Sequence, residues 1–207
     1  MPIITKPRRK MKMQKPNDYD SAPVYGESRP LEVGGHIMKI VKVEESTSKN
    51  GNPMILIYLD TDKSDKQPQY FKQRYDNDSR QDKKWPCIVY QVTEDESGCT
   101  KPMFKTFIES VTKSNSSSFK VLWGDKFCEC FKGRLVGGVF RREQFRSPKT
   151  GKLAWSVKCC AFRSVAAINE GIDPPADKYL EEDGGYPMPP ESNVRTDTTP
   201  TDDDYPF

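Results

Sequence analysis

The sequence holds a single histidine in 207 residues. A Ser-His-Asp relay, or a metal site built on two histidines, therefore lacks its parts. Phosphate-cradling Gly-x-x-x-x-Gly-Lys-Ser/Thr spacing is absent as well. The acids of the body are scattered or paired with bases, which leaves a two-metal nuclease without a visible carboxylate cluster. Binding rather than catalysis is expected, with no cofactor. Apolar residues make up 34% of the chain and charged residues 30%, so part of the chain is expected to lie outside any core. Nowhere do about 18 apolar residues run together, so no membrane-spanning helix is expected. The basic start (Lys6, Arg8, Arg9, Lys10) is not followed by an apolar stretch, which argues against a secretory signal and for the cytoplasm.

Six cysteines stand at positions 87, 99, 128, 130, 159 and 160. Neither Cys128-x-Cys130 nor the adjacent Cys159-Cys160 has the Cys-x-x-Cys spacing of a zinc ribbon. They read as reduced, mostly buried thiols with no metal, the alternative being a zinc site on Cys128, Cys130 and one later cysteine.

Charge is present but unevenly spread. Residues 173–207 carry ten acids and two bases, a net of −8, and the whole chain carries +3. Residues 1–172 therefore hold +3 − (−8) = +11. A basic body suits a polyanion, and an acidic tail suits an interaction arm.

Three regions follow from composition. Residues 1–30 contain five prolines and seven bases against three acids, and read as a flexible basic arm. Residues 31–172 read as the folded domain. Residues 173–207 read as a disordered acidic tail, with order ending at Asp173.

Within the domain, Gly34-Gly35 lead into a β-branched run at 36–43, the first strand. A polar loop at 45–53 contains Asn50-Gly51, a turn signal. Met54 to Leu59 are apolar at both parities, so this second strand is expected to be buried on both faces. Residues 85–92 read as the third strand. After Pro102, the residues Met103, Phe104, Phe107, Ile108 and Val111 recur at helical spacing. A short second helix is expected near 125–131, with Phe127 and Phe131 joining the core. Residues 134–145 and 153–162 make two more strands around a basic loop, and 164–171 a last helical turn. The fold class is mainly β: a five-stranded OB-fold barrel with one capping helix, a flexible arm and an acidic tail.

Residues 33–60 with the turn 46–53, and the 134–163 hairpin followed by Ser164-Val165 and Ile168-Asn169-Glu170-Gly171, resemble OB-fold single-stranded DNA-binding proteins encoded by phages and bacterial mobile elements. The tip Asp202-Asp203-Asp204-Tyr205-Pro206-Phe207 is similar to the acidic, Phe-ended tip of bacterial single-stranded DNA-binding proteins. The resemblance implies a protein that coats single-stranded DNA without sequence preference in replication, recombination and repair. It also implies recruitment of helicase, primase, polymerase or recombination proteins through Asp202, Asp203, Asp204, Tyr205, Pro206 and Phe207. It leaves room for a homo-oligomer. Two other readings stand beside it: a protein-interaction adaptor without strong DNA binding, and a DNA-modifying enzyme.

A non-specific single-strand binder interleaves bases with exposed aromatics. Tyr70, Phe71, Lys72, Arg74 and Tyr75 do so in one stretch, with Trp85 after Lys83-Lys84. Phe140, Arg142, Phe145 and Arg146 do so in another. Lys149 and Lys152 sit in the loop between the last two strands, and Trp155 and Lys158 follow on the fifth. These fourteen residues are the candidate DNA contacts. Two or more of Tyr70, Phe71, Tyr75 and Trp85 are expected to stack on bases, while Trp155 divides between core and stacking.

Overall fold

The computed structural model describes residues 14–17, 19 and 29–180. Five strands form one open antiparallel sheet in the order β3-β2-β1-β4-β5. They are β1 (Gly34–Thr47), β2 (Pro53–Thr61), β3 (Ile88–Val92), β4 (Leu135–Arg146) and β5 (Leu153–Arg163). Among the described residues four helices accompany them: α1 (Tyr70–Asn77), α2 (Pro102–Ser114), α3 (Phe127–Cys130) and, after the last strand, α4 (Val165–Glu170). Among the described residues, no helix is long and apolar enough to cross a membrane.

The β1–β2 hairpin closes more tightly than its composition suggests. Both strands extend into the polar stretch, leaving 48–52 as the turn. The Ser48 Oγ accepts the Asn52 N–H at 3.0 Å, and the Ser48 carbonyl accepts the Gly51 N–H at 2.9 Å. Gly51 sits at φ +84°, the left-handed region that the Asn-Gly pair signalled.

One face of the sheet is apolar and buried. Met38, Ile40, Ile57 and Leu59 lie on it, and Phe107 of α2 and Phe131 close over it. The helix packs against β4 and β5 and touches β3, covering the span between the two edge strands. Its stripe Phe104, Phe107 and Val111 is buried, as the 3.6 period requires. Truncating a phenylalanine as buried as Phe107 to alanine costs about 3–5 kcal/mol.

Helix α1 was not foreseen by the sequence reading, and its cause is tertiary. Gln69 before it is left-handed and offers no side-chain cap. The end of β2 caps the helix instead. The Thr61 Oγ1 accepts the Tyr70 N–H at 2.8 Å, and the Asp60 Oδ1 accepts the Phe71 and Lys72 N–H groups at 3.0 and 3.1 Å. Burial pushes the Asp60 carboxyl up, and these backbone donors oppose that push.

The expectation that order ends at Asp173 is corrected. Residues 177–180 turn back along β4, where Lys178 bridges Glu143 in parallel. The Gln144 N–H donates to the Lys178 carbonyl at 2.8 Å, and the Lys178 N–H donates to the Arg142 carbonyl at 2.9 Å. β1 begins opposite Phe140, so β4 beyond Phe140 has an edge that β1 does not reach. The returning chain takes that edge, which gives its backbone groups partners.

Candidate nucleic-acid interface

Strand alternation divides each strand between two faces. Ile55, Ile57 and Leu59 of β2 are buried, so Met54, Leu56 and Tyr58 point the other way. The register sets Tyr90 of β3 beside Leu56, and Ile88 beside Tyr58. On the other side it sets Lys42 beside Tyr58 and Glu44 beside Leu56. The result is an outward patch on β1–β2–β3 that is aromatic and aliphatic at its centre. Tyr90 stands out from it with 63% of its surface exposed.

Tyr58 is held by its neighbours. The Lys42 Nζ lies 4.2 Å from its ring centroid. Its hydroxyl donates to the Glu44 Oε2 at 2.7 Å, and the Lys42 Nζ donates to the Glu44 Oε1 at 2.7 Å. That hydrogen bond to Glu44, with burial and charge adding to it, pushes the Tyr58 hydroxyl up to about 12, so it stays neutral. Glu44 is in turn held below its usual range by hydrogen bonds from Lys42 and Tyr58.

Neither Tyr58 nor Tyr90 stood among the sequence candidates. Parity alone does not find them: Met54–Leu59 is apolar at both parities, and only the sheet register fixes which side of β2 and β3 faces outward.

Several sequence candidates fall elsewhere. Phe71 and Phe140 are core residues, corrected from DNA contacts: both are buried, and their rings stack at 6.2 Å and 28°. Neither has a face left for a base. Tyr70 is partly buried against the core, and its hydroxyl accepts the Leu31 N–H at 3.1 Å. Trp85 is pinned by its indole N–H, which donates to the Leu59 carbonyl at 2.7 Å. Tyr75 is half-buried with its ring 5.3 Å from Trp85, and the Lys83 Nζ lies 4.5 Å from it on top. Lys72 pairs with Asp76 one helical turn on. Arg74 is exposed. The aromatic-basic stretch at 70–75 is thus mainly a helix that seals the core.

The β4–β5 candidates are split between faces. Arg142, Arg146 and Trp155 share one face, with Gln144 opposite Trp155. Phe145 and Lys158 lie on the other. The Arg146 Nη1 donates to the Gly151 carbonyl at 3.0 Å, which braces the basic turn. Lys149 and Lys152 are exposed at that turn. Lys158 approaches Glu143 at 3.9 Å. Trp155 is half-buried, with the Arg142 guanidinium 5.5 Å from its ring and Tyr179 set edge-on at 5.2 Å and 79°.

The six thiols are free, but they are less buried than the sequence suggests: Cys87 is buried, Cys99 is exposed and the other four are intermediate. Burial pushes the Cys87 thiol up, and burial drives Cys159 to about 12. Among the described residues, no group of three or more His, Cys, Asp and Glu side chains is placed to hold a metal ion. The tip expected to bind partners, Asp202, Asp203, Asp204, Tyr205, Pro206 and Phe207, lies outside the described residues, as does most of the basic arm.

No protein-family model matches the chain, and comparison with curated proteins returns no match.

Proposed function

We infer that this protein binds single-stranded DNA without sequence preference, coating transient single strands in replication, recombination and repair. One observation carries the reading. Tyr90 stands 63% exposed on the outward face of β3, beside Leu56 and within a patch bordered by Lys42. An open aromatic face with a lysine at its border suits an unstacked base and its phosphate, and each stack is worth about 1–3 kcal/mol. The strand order, with a helix between β3 and β4, supports an OB-type barrel over residues 31–172. In that fold the second and third strands form the oligonucleotide face. The patch lies on those two strands and on β1. The net charge of +11 over residues 1–172 favours a polyanion. Asp202, Asp203, Asp204, Tyr205, Pro206 and Phe207 would then serve to recruit replication or recombination proteins.

Fluorescence anisotropy with a labelled dT oligomer and a matched duplex tests the reading. Tighter binding to the single strand, weakening as salt rises, is expected. Equal affinity for both, or no binding at low salt, overturns it. Weak and salt-insensitive DNA binding would favour the adaptor reading instead.

A further inference from the structure

Trp123 carries the most exposed aromatic side chain among the described residues. This residue follows α2 and precedes α3. Its ring stacks on Phe127 at 5.2 Å and 18°, and Phe104 meets it edge-on at 6.4 Å. Both partners are buried, so they hold the indole from beneath. Its other side is open: Trp123 is 68% exposed, with Leu122 at 49% and Met103 at 43%. Most of the Trp123 side chain thus faces solvent rather than the core.

We propose that Trp123 is a second base-stacking position for single-stranded nucleic acid, fed from the Tyr90 face around the start of α2. The proposal rests on the single-strand reading above and extends it to a surface that reading does not use.

Three observations favour a nucleic acid over a protein as occupant. The stack on Phe127 fixes the indole plane and leaves one π-face free, the geometry that a base needs. Holding the ring in place beforehand also removes the ordering cost of binding. Next comes charge. Residues 101–132 contain six lysines against three acids. Lys120 and Lys126 bracket Trp123 in sequence, and both are exposed. Continuity is the third. Tyr90 and Val92 share the outward parity of β3, and Thr93 follows directly. The Thr93 carbonyl accepts the Lys101 N–H at 2.8 Å. Pro102 then starts α2, whose exposed Met103 precedes the Phe104 that touches Trp123. The β3–α2 connection therefore joins the strand that carries Tyr90 to the helix whose Phe104 meets Trp123. An OB-type domain contacts about 4–16 nucleotides, more than the two tyrosines of the sheet can stack.

The test uses the full chain and a fluorescein-labelled dT oligomer of about 20 nucleotides. Trp123→Ala is expected to weaken binding by about 5- to 100-fold. Trp123→Phe, which keeps a stacking face, should lose much less. Tyr90→Ala is the control for the sheet face. If wild-type protein binds and Tyr90→Ala weakens it while Trp123→Ala does not, the Trp123 proposal fails and the single-strand reading stands. If wild-type protein does not bind, both fail. An unchanged DNA affinity with loss of a dimer in Trp123→Ala would assign the patch to protein contact and overturn the proposal. Because Trp123→Ala removes the stack on Phe127 and could unfold locally, the wild-type protein is also photocrosslinked to a 5-iodouracil-substituted oligomer. Crosslinked peptide containing Trp123 is expected. Crosslinks confined to the β-sheet overturn the proposal.

Discussion

Arg142 and Asp177 meet across 35 positions of sequence through two hydrogen bonds, Nε to Oδ1 at 3.0 Å and Nη2 to Oδ2 at 2.5 Å. With Tyr179 set edge-on to Trp155, the start of the acidic tail contacts two residues that the sequence reading expects to meet DNA. Carboxylate on guanidinium and ring beside ring are also the contacts a nucleotide would make there. Asp177→Ala with Tyr179→Ala should therefore free this surface. The exposed ion pair is worth about 0.2–1 kcal/mol and the ring pair about 0.5–1.5 kcal/mol. Affinity for a dT oligomer should rise, by up to about tenfold. Anisotropy titration checks it, and lowered affinity would mean that the segment supports the site.

Tyr90→Ala should weaken single-strand binding by about 5- to 100-fold, the loss of one stack. Thermal stability should hardly change, because an exposed side chain contributes little to the core. Tyr70→Phe behaves in the opposite way. It deletes the hydroxyl that accepts the Leu31 N–H, costs about 1 kcal/mol of stability and leaves DNA affinity intact. Measuring both variants by anisotropy and by thermal melting separates the binding face from the scaffold.

What was legible in the sequence was periodic or punctuated. Phe104, Phe107 and Val111 announced α2, and Asn50-Gly51 announced the β1–β2 turn. Helix α1 was hidden because its caps come from Asp60 and Thr61, about ten residues upstream, and local signals at Gln69 point elsewhere. Two of the aromatic candidates, Phe71 and Phe140, fell in the core for a related reason. Composition could find where aromatics and bases alternate, at 70–75, but not that Phe71 stacks on Phe140 inside the core. Tyr58 and Tyr90 were masked by apolar neighbours at both parities. Only the sheet register shows that their side of β2 and β3 faces outward.

Gly137 marks where α4 meets the sheet. A Cβ placed there would come within 3.0 Å of the Ile168 side chain and at 2.9 Å of the Arg163 carbonyl. Backbone cannot retreat as a side-chain end can. Gly137→Ala should therefore destabilise the protein by about 1–3 kcal/mol by overpacking. Denaturant unfolding would show it as a lower midpoint at unchanged slope. Ile168→Ala in the same chain should recover part of the loss, since it removes the side-chain half of the clash. A neutral Gly137→Ala would show that α4 lifts off without cost.

Asp65 ties the start of the sheet to the β2–α1 connection. Its Oδ2 lies 2.9 Å from the His36 Nδ1, and its Oδ1 accepts the Ile37 N–H at 2.7 Å. His36 is itself buried, with its Nε2 2.9 Å from the Glu32 carbonyl. Burial pushes the Asp65 carboxyl up, but His36 and the Gln67 and Ile37 N–H groups outweigh it and hold the carboxyl below its usual range. A carboxylate lowered in the folded state contributes stability above its unfolded pKa, about 3.9, and loses it as pH falls through the folded value. The melting temperature should thus be insensitive to this group above about pH 5 and should drop on acidification below about pH 4. Asp65→Asn should flatten that acid limb. Asp65→Ala should cost about 1–3 kcal/mol at neutral pH, because it leaves the buried His36 ring and the Ile37 N–H without their hydrogen-bond partner. Melts between pH 3 and 7, read with the N-terminal strand's amide exchange, check both. An acid limb as steep in Asp65→Asn as in the wild type would place the titrating carboxylate elsewhere.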